Sequence, residues 1–382
     1  MSSFDRALMS RFDCSATRKQ KILDSNNSDT SFRAVTAKLE SDANIALKTQ
    51  VVSIVTKQAT PPSGDKHDYM SQAPYFWRNP KTADGFPYIR RDGERNPEIK
   101  KYPDHDLLDK MVKTVEQFAV AYYFTDKKEY AAKAAQILRM WFLVAGTKMN
   151  PNLEFAQAIP GLNTGRGIGI IETRGLTRVV DSIGLLKNSK SWTKADQAGI
   201  ETWFGKYLQW LTTSKNGREE GAAKNNHGTF YDVQIVSFAL FVGKKDFAKN
   251  VLEAAKQKRI ARQIEPDGRQ PLELERTKSW NYSVMNLEGL AALAELGENA
   301  KVDLWNFQTG DGRGIRRAIE FLHPFLGADK KWTYEQIESF QPERLFPMMR
   351  RAHRKYRDEK FAQMMSLVPK LAADDKNTLL SF

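Results

Sequence analysis

The chain has 382 residues, 41% hydrophobic and 27% charged, which is ordinary for a globular protein with a sizeable core. Lysine and arginine outnumber acids by 59 to 46, and the net charge of +13 favours an anionic partner such as nucleic acid, acidic lipid or acidic polysaccharide. The basic residues are scattered, which argues against a nucleic-acid tail, and no apolar run approaches membrane-spanning length.

Cys14 is the only cysteine, so an intramolecular disulfide and a Cys-based zinc site are excluded. The histidines, His67, His105, His227, His323 and His353, have no HExxH-type spacing, and the expectation is a site with no metal and no cofactor. The first twenty residues lack the apolar core of a signal peptide. That leaves a cytoplasmic protein, or a periplasmic or secreted one whose leader has been removed.

In chain order, residues 1–60 read as helical segments with weak periodicity. A long irregular region follows over 60–103, punctuated by Pro61, Pro62, Pro74, Pro80, Pro87 and Pro97. It carries Tyr69, Tyr75, Phe76, Trp77, Tyr88, Arg90 and Arg91. Rings stack on sugar faces and guanidinium pairs with carboxylate, so this mixture suits a sugar acid as well as it suits pinning a loop to a core. From Asp104 the pattern turns helical: Leu107, Leu108, Met111, Val112, Val115, Phe118, Ala119 and Tyr122 keep the i, i+3, i+4 rule. Further helices are expected at about 128–144, 167–186, 229–242, 246–259, 284–296, 313–325 and 344–367. Another carries the stripe Ile200, Trp203, Phe204, Tyr207, Leu208 and Leu211 behind a Thr193 cap. A second irregular insertion covers 146–166. Strand signals are confined to 264–274, where Pro266 and Pro271 interrupt them. Paired helices over this length predict one all-α domain over 1–382, an α/α toroid with long loops at one rim around a central cleft.

Two polar clusters interrupt the helical pattern. The first is Lys224-Asn225-Asn226-His227-Gly228-Thr229, which also reads as a helix-helix turn with an Asn cap. The second is Glu275-Arg276-Thr277-Lys278-Ser279-Trp280-Asn281-Tyr282. Together they supply two amides, an imidazole, a guanidinium and a phenol. That set matches β-elimination on a uronic acid polymer, where a base removes the C5 proton and the C4 oxygen leaves. The enzyme must hold an enolate-like dianion, and Asn225, Asn226, His227 and Arg276 are suitable donors. Tyr282 is the candidate for the proton transfers.

These motifs resemble those of alginate lyase-type polysaccharide lyases with an α/α toroid fold, closest to the thirty-eighth polysaccharide lyase family of alginate and glucuronan lyases. The resemblance runs from about Asp68 onward. It rests on Asp68-Tyr69-Met70-Ser71, Pro74-Tyr75-Phe76-Trp77, Pro87-Tyr88-Ile89-Arg90-Arg91-Asp92-Gly93, Gln157-Ala158-Ile159-Pro160-Gly161, Gly165-Arg166-Gly167-Ile168-Gly169, Asn225-Asn226-His227-Gly228-Thr229, and Arg276 with Tyr282. It implies that Tyr282 serves as base and acid. It further implies that His227 contacts the substrate carboxylate or assists the tyrosine, and that Arg276 and Asn226 neutralise the carboxylate. Glu220, seven residues before His227, takes the place of an acid that orients the histidine. Lys224, Asn225, Tyr75, Trp77, Arg90, Arg91, Gln157 and Arg166 are the substrate-binding candidates.

The expected substrate is an anionic polysaccharide (alginate, polymannuronate or glucuronan), with no nucleic acid and no membrane as partner. Two other readings stand beside it. A glycoside hydrolase would need two facing carboxylates, from Glu220, Glu265, Asp267 and Glu273, and would leave the amide-histidine cluster without a role. A non-catalytic polyanion binder would rest on net charge alone. Which uronate is preferred, endo or exo action, syn or anti elimination and oligomeric state are left open by the sequence.

Overall fold

A computed structural model describes residues 30–327 and 330–368; the expectation for 1–29 lies outside these residues. Their secondary structure is mostly helix. The contacts divide the chain into two compact units, one built on Glu40–Ala222 with Ser237–Lys244, the other on Ala223–Val236 and the chain from Lys245 onward, with residues 30–39. The first helix, α1, spans Thr30–Leu47.

In the first unit α2 (Asp104–Thr125) and α3 (Lys128–Leu138) pack together across a two-residue joint. The stripe read from the sequence is the buried face of α2: Leu108, Met111, Val112, Val115, Phe118 and Ala119 are all enclosed. Asp126, left-handed at φ 55°, ends the helix. A π turn, Arg139–Leu143, continues α3. A 3₁₀ segment, Gly167–Gly175, leads into α4 (Leu176–Leu186), and α5 (Lys194–Thr213) and α6 (Lys215–Ala222) follow. The Thr193 cap is present and is a full capping box with Asp196. Asp196 also takes the Arg139 guanidinium at 2.7 and 2.6 Å, and that pairing holds its carboxyl down at about 2. Phe142, Trp203, Phe204, Tyr207 and Phe238 form the aromatic heart of this unit.

The long region 60–103 is more ordered than its prolines predict. It contains β1 (Met70–Gln72), β2 (Phe76–Trp77) and β3 (Ile89–Arg90), and β4 (Phe155–Ala158) lies in the second insertion. β1 pairs in parallel with β4, and β2 pairs antiparallel with β3. Lys57 fastens the region to α2: its enclosed ammonium donates to Asp104 Oδ2 at 2.7 Å and to the Asp68 carbonyl at 2.5 Å. Met70 N–H donates to the same Asp104 oxygen at 2.9 Å.

The second unit is built on α7 (Asn226–Phe241), whose residues up to Val236 it includes. Then come α8 (Lys245–Ala255), the short α9 (Pro271–Leu274), α10 (Ser279–Ala300), α11 (Ile315–Leu322), α12 (Phe346–Tyr356) and α13 (Glu359–Ser366). Helix α10 packs against α8, α9, α11 and α12. The strand signal at 264–274 is not borne out. A left-handed turn at Gly268 breaks it, and Pro271 opens α9. The helix expected from 229 starts three residues earlier, at Asn226, so Asn226 and His227 open it with Asn225 just ahead.

Candidate active site

Helix α7 begins where the chain changes from polar to apolar. Asn225 Oδ1 accepts the His227 N–H at 3.2 Å, the cap that Asn supplies at a helix start. Gly228 is required here: a Cβ would stand 2.1 Å from the Ala223 carbonyl and from Arg259 Nη1. Arg259, 1% exposed, donates to that carbonyl at 2.6 Å and grips Asp232 at 2.7 and 3.0 Å. One buried guanidinium thus fastens the first two turns of α7.

Asn226 is fully enclosed, and its backbone and side-chain nitrogens each donate to one carboxylate. Its backbone N–H reaches Glu273 Oε1 and its Nδ2 reaches Glu273 Oε2, each at 2.7 Å. Its Oδ1 has no partner among the described residues. Glu273 is 1% exposed, and burial pushes its carboxyl up to about 6. The Asn226 hydrogen bonds and the Arg276 and His227 charges pull the other way. Glu273 is therefore the group on which Asn226, His227 and Arg276 all act.

The Arg276 guanidinium lies 3.9 Å from the Tyr282 ring centroid, over its face. His227, Arg276 and Tyr282 are each half-buried, while Lys224 is exposed. Tyr282 sits in the first turn of α10, its N–H bonded to the Lys278 carbonyl at 3.0 Å. Residues 335–341 brace that turn. The Glu335 carbonyl takes Ser279 N–H, Gln336 Oε1 takes Trp280 N–H, and the Gln341 carbonyl takes the Trp280 indole. Glu338 binds both Lys278 and Asn281. Deeper in, Asn286 Nδ2 donates to Gln263 at 2.8 Å and to Gln270 at 2.7 Å, and Thr229 shares the Gln263 oxygen.

The other candidates lie in the first unit. Gln157 is left-handed at φ 49°, a conformation an L side chain adopts only under constraint. Its N–H donates to Ser71 Oγ at 2.8 Å, and Arg166 donates to both its backbone and side-chain oxygens at 3.0 Å. Arg166 stacks on Phe76 at 5.0 Å, and burial lowers its guanidinium to about 10. Arg91 lies 5.3 Å over the half-buried Trp77, and exposed Arg90 pairs with Asp92. Tyr75 is half-buried. Glu220 is 1% exposed on α6, beside the 3₁₀ segment, and its charge acts on Arg166.

Sequence reasoning missed two features. Glu273 was weighed as a hydrolase acid, and the buried Leu274 beside it was the signal that it is enclosed. The brace at 335–341 left no local mark.

The family model for alginate lyases matches residues 53–332. A crystal structure of an alginate lyase from Bacteroides ovatus is 37% identical, with TM-score 0.92, covering 98% of this chain and 99% of that one. The chain belongs to the alginate lyase family. This lyase is accordingly a polysaccharide lyase with the all-α fold of the α/α toroid class, and neither the hydrolase reading nor the non-catalytic one stands. The alginate lyase A1-III from Sphingomonas species A1 shares the fold at 16% identity, with TM-score 0.58 and coverage of 98% and 96%. A tyrosine-to-phenylalanine variant of A1-III has been solved with a tetrasaccharide, and aligns at TM-score 0.61 and 16% identity, covering 98% and 96%. No curated protein matches the chain.

Proposed function

We propose that this lyase cleaves alginate, a polyuronate, by β-elimination and leaves a 4,5-unsaturated uronate at the new non-reducing end. Tyr282 removes the C5 proton and returns a proton to the departing C4 oxygen. The observation that carries this is the Arg276 guanidinium stacked on the Tyr282 ring at 3.9 Å. A free phenol ionises near pH ~10, so it needs a neighbouring cation to act as a base at neutral pH, and Arg276 is that cation. His227 and Arg276 receive the uronate carboxylate and offset the charge that grows on it as C5 loses its proton. Because this charge is met by a guanidinium and an imidazole, the chemistry runs without a divalent cation. Asn226 ties the start of α7 to Glu273 through its backbone N–H and its Nδ2.

One residue performs both transfers when proton and leaving oxygen share a face of the ring, a syn elimination. On opposite faces His227 takes one of them. In the first unit, Arg91 over Trp77 and Arg166 over Phe76 pair a guanidinium with a ring, which suits a uronate. The test is the ultraviolet absorbance of the conjugated C4=C5 product on polymannuronate, polyguluronate and glucuronan. Absorbance on the alginate blocks supports the reading, strongest signal naming the uronate. Cleavage without absorbance is hydrolysis and overturns it.

A further inference from the structure

We propose that Glu273 is a positioning residue that takes up a proton from solvent when a uronate carboxylate binds His227 and Arg276, the Asn226 side-chain amide turning over as the proton arrives. This rests on the function proposed above.

The geometry provides for both states. An ionised Glu273 accepts Asn226 N–H at Oε1 and Asn226 Nδ2 at Oε2. A protonated Glu273 has an O–H at Oε2 and needs an acceptor there. Asn226 has one to offer, because its enclosed Oδ1 is without a partner among the described residues. A half-turn of the amide brings Oδ1 to the new O–H and leaves the backbone bond to Oε1 in place. One O–H bond forms, the proton comes from buffer, and nothing is oxidised or reduced.

The charges supply the trigger. Burial favours the neutral acid, while Arg276 and His227 favour the carboxylate. Arg276 acts from the turn ahead of α10, His227 from α7. Tyr282 lies under the Arg276 guanidinium, and Lys224, Glu275 and Lys278 are the other titratable side chains of the two clusters. A ligand carboxylate held by the two cations engages their charge and adds a like charge nearby. Burial then prevails, and Glu273 protonates. The bound state holds more protons than the free one, so affinity falls as pH rises above the free value of about 6, by up to tenfold per pH unit.

Calorimetry on the Tyr282→Phe protein tests this, with a mannuronate tetrasaccharide titrated at about pH 7.5 in buffers of differing ionisation enthalpy. The expected result is uptake of about one proton, reduced by most of that amount in Tyr282→Phe/Glu273→Gln. The double variant should bind more tightly than Tyr282→Phe at this pH, because the glutamine amide supplies the donor of the protonated acid with no proton to take up. Equal uptake in the two proteins, or none in Tyr282→Phe, overturns the proposal. If the double variant fails to melt cooperatively, the infrared difference spectrum of Tyr282→Phe on binding decides: a protonated-carboxyl band that appears upholds Glu273, and its absence with uptake still present assigns the proton elsewhere and overturns the proposal. A wild-type protein that yields unsaturated product, with no Glu273-dependent uptake, overturns this proposal alone. A wild-type protein that yields none overturns the function itself.

Discussion

At the scale of single residues, Arg276 carries two tasks: it covers the Tyr282 ring and it faces the buried Glu273. Arg276→Ala should lower kcat/KM by roughly 10²–10³-fold, the range of an oxyanion donor at about 2.7–4 kcal/mol. Arg276→Lys should recover only part of this, since a compact ammonium does not lie flat on a ring. Steady-state kinetics checks both, and near-wild-type turnover in a folded Arg276→Ala protein would remove Arg276 from the site. The types of these residues were legible because a helical pattern has little use for Asn-Asn-His or for a lone guanidinium before a phenol. What Asn226 does was not. A sequence lists its amide as a donor to substrate, while the fold also gives its backbone nitrogen and its Nδ2 a carboxylate partner, Glu273. That assignment depends on a residue 47 positions away, and no local rule reports it.

At the scale of elements, the helices were read well wherever burial is one-sided. The α2 stripe and the Thr193–Asp196 capping box are local physics, decided within one or two turns. The strands went unread because each is two to four residues long, too short for alternation to register. β1 exists because 155–158 lies beside it, with Met70 against Phe155. The early start of α7 has a similar cause, in that Arg259 reaches across from the π turn after α8 to hold it. Asp232→Asn leaves that guanidinium enclosed without its counter-charge, and it should cost about 3–5 kcal/mol of stability. Denaturant melts check this. Activity should fall with it, because the same arginine sets the first turn that carries His227. A stable and fully active Asp232→Asn protein would show that the pair does not position α7.

At the scale of the whole molecule, the net charge of +13 pointed to a polyanion before any motif was considered. It could not separate an enzyme from a binder; the clusters around His227 and Tyr282 made that distinction. If the uronate carboxylate is met by Arg276 and His227, removal of divalent ions should leave turnover unchanged. Exhaustive dialysis against EDTA followed by assay checks this, and activity lost and then restored by calcium would place a metal in the reaction. The most direct measurement of the central claim is the Tyr282→Phe protein on alginate, followed by product absorbance alongside tetrasaccharide binding. The substitution keeps the ring beneath Arg276 and removes only the hydroxyl. The account predicts no unsaturated product, with binding close to that of the wild type. Substantial turnover in Tyr282→Phe would contradict it and move the base to His227.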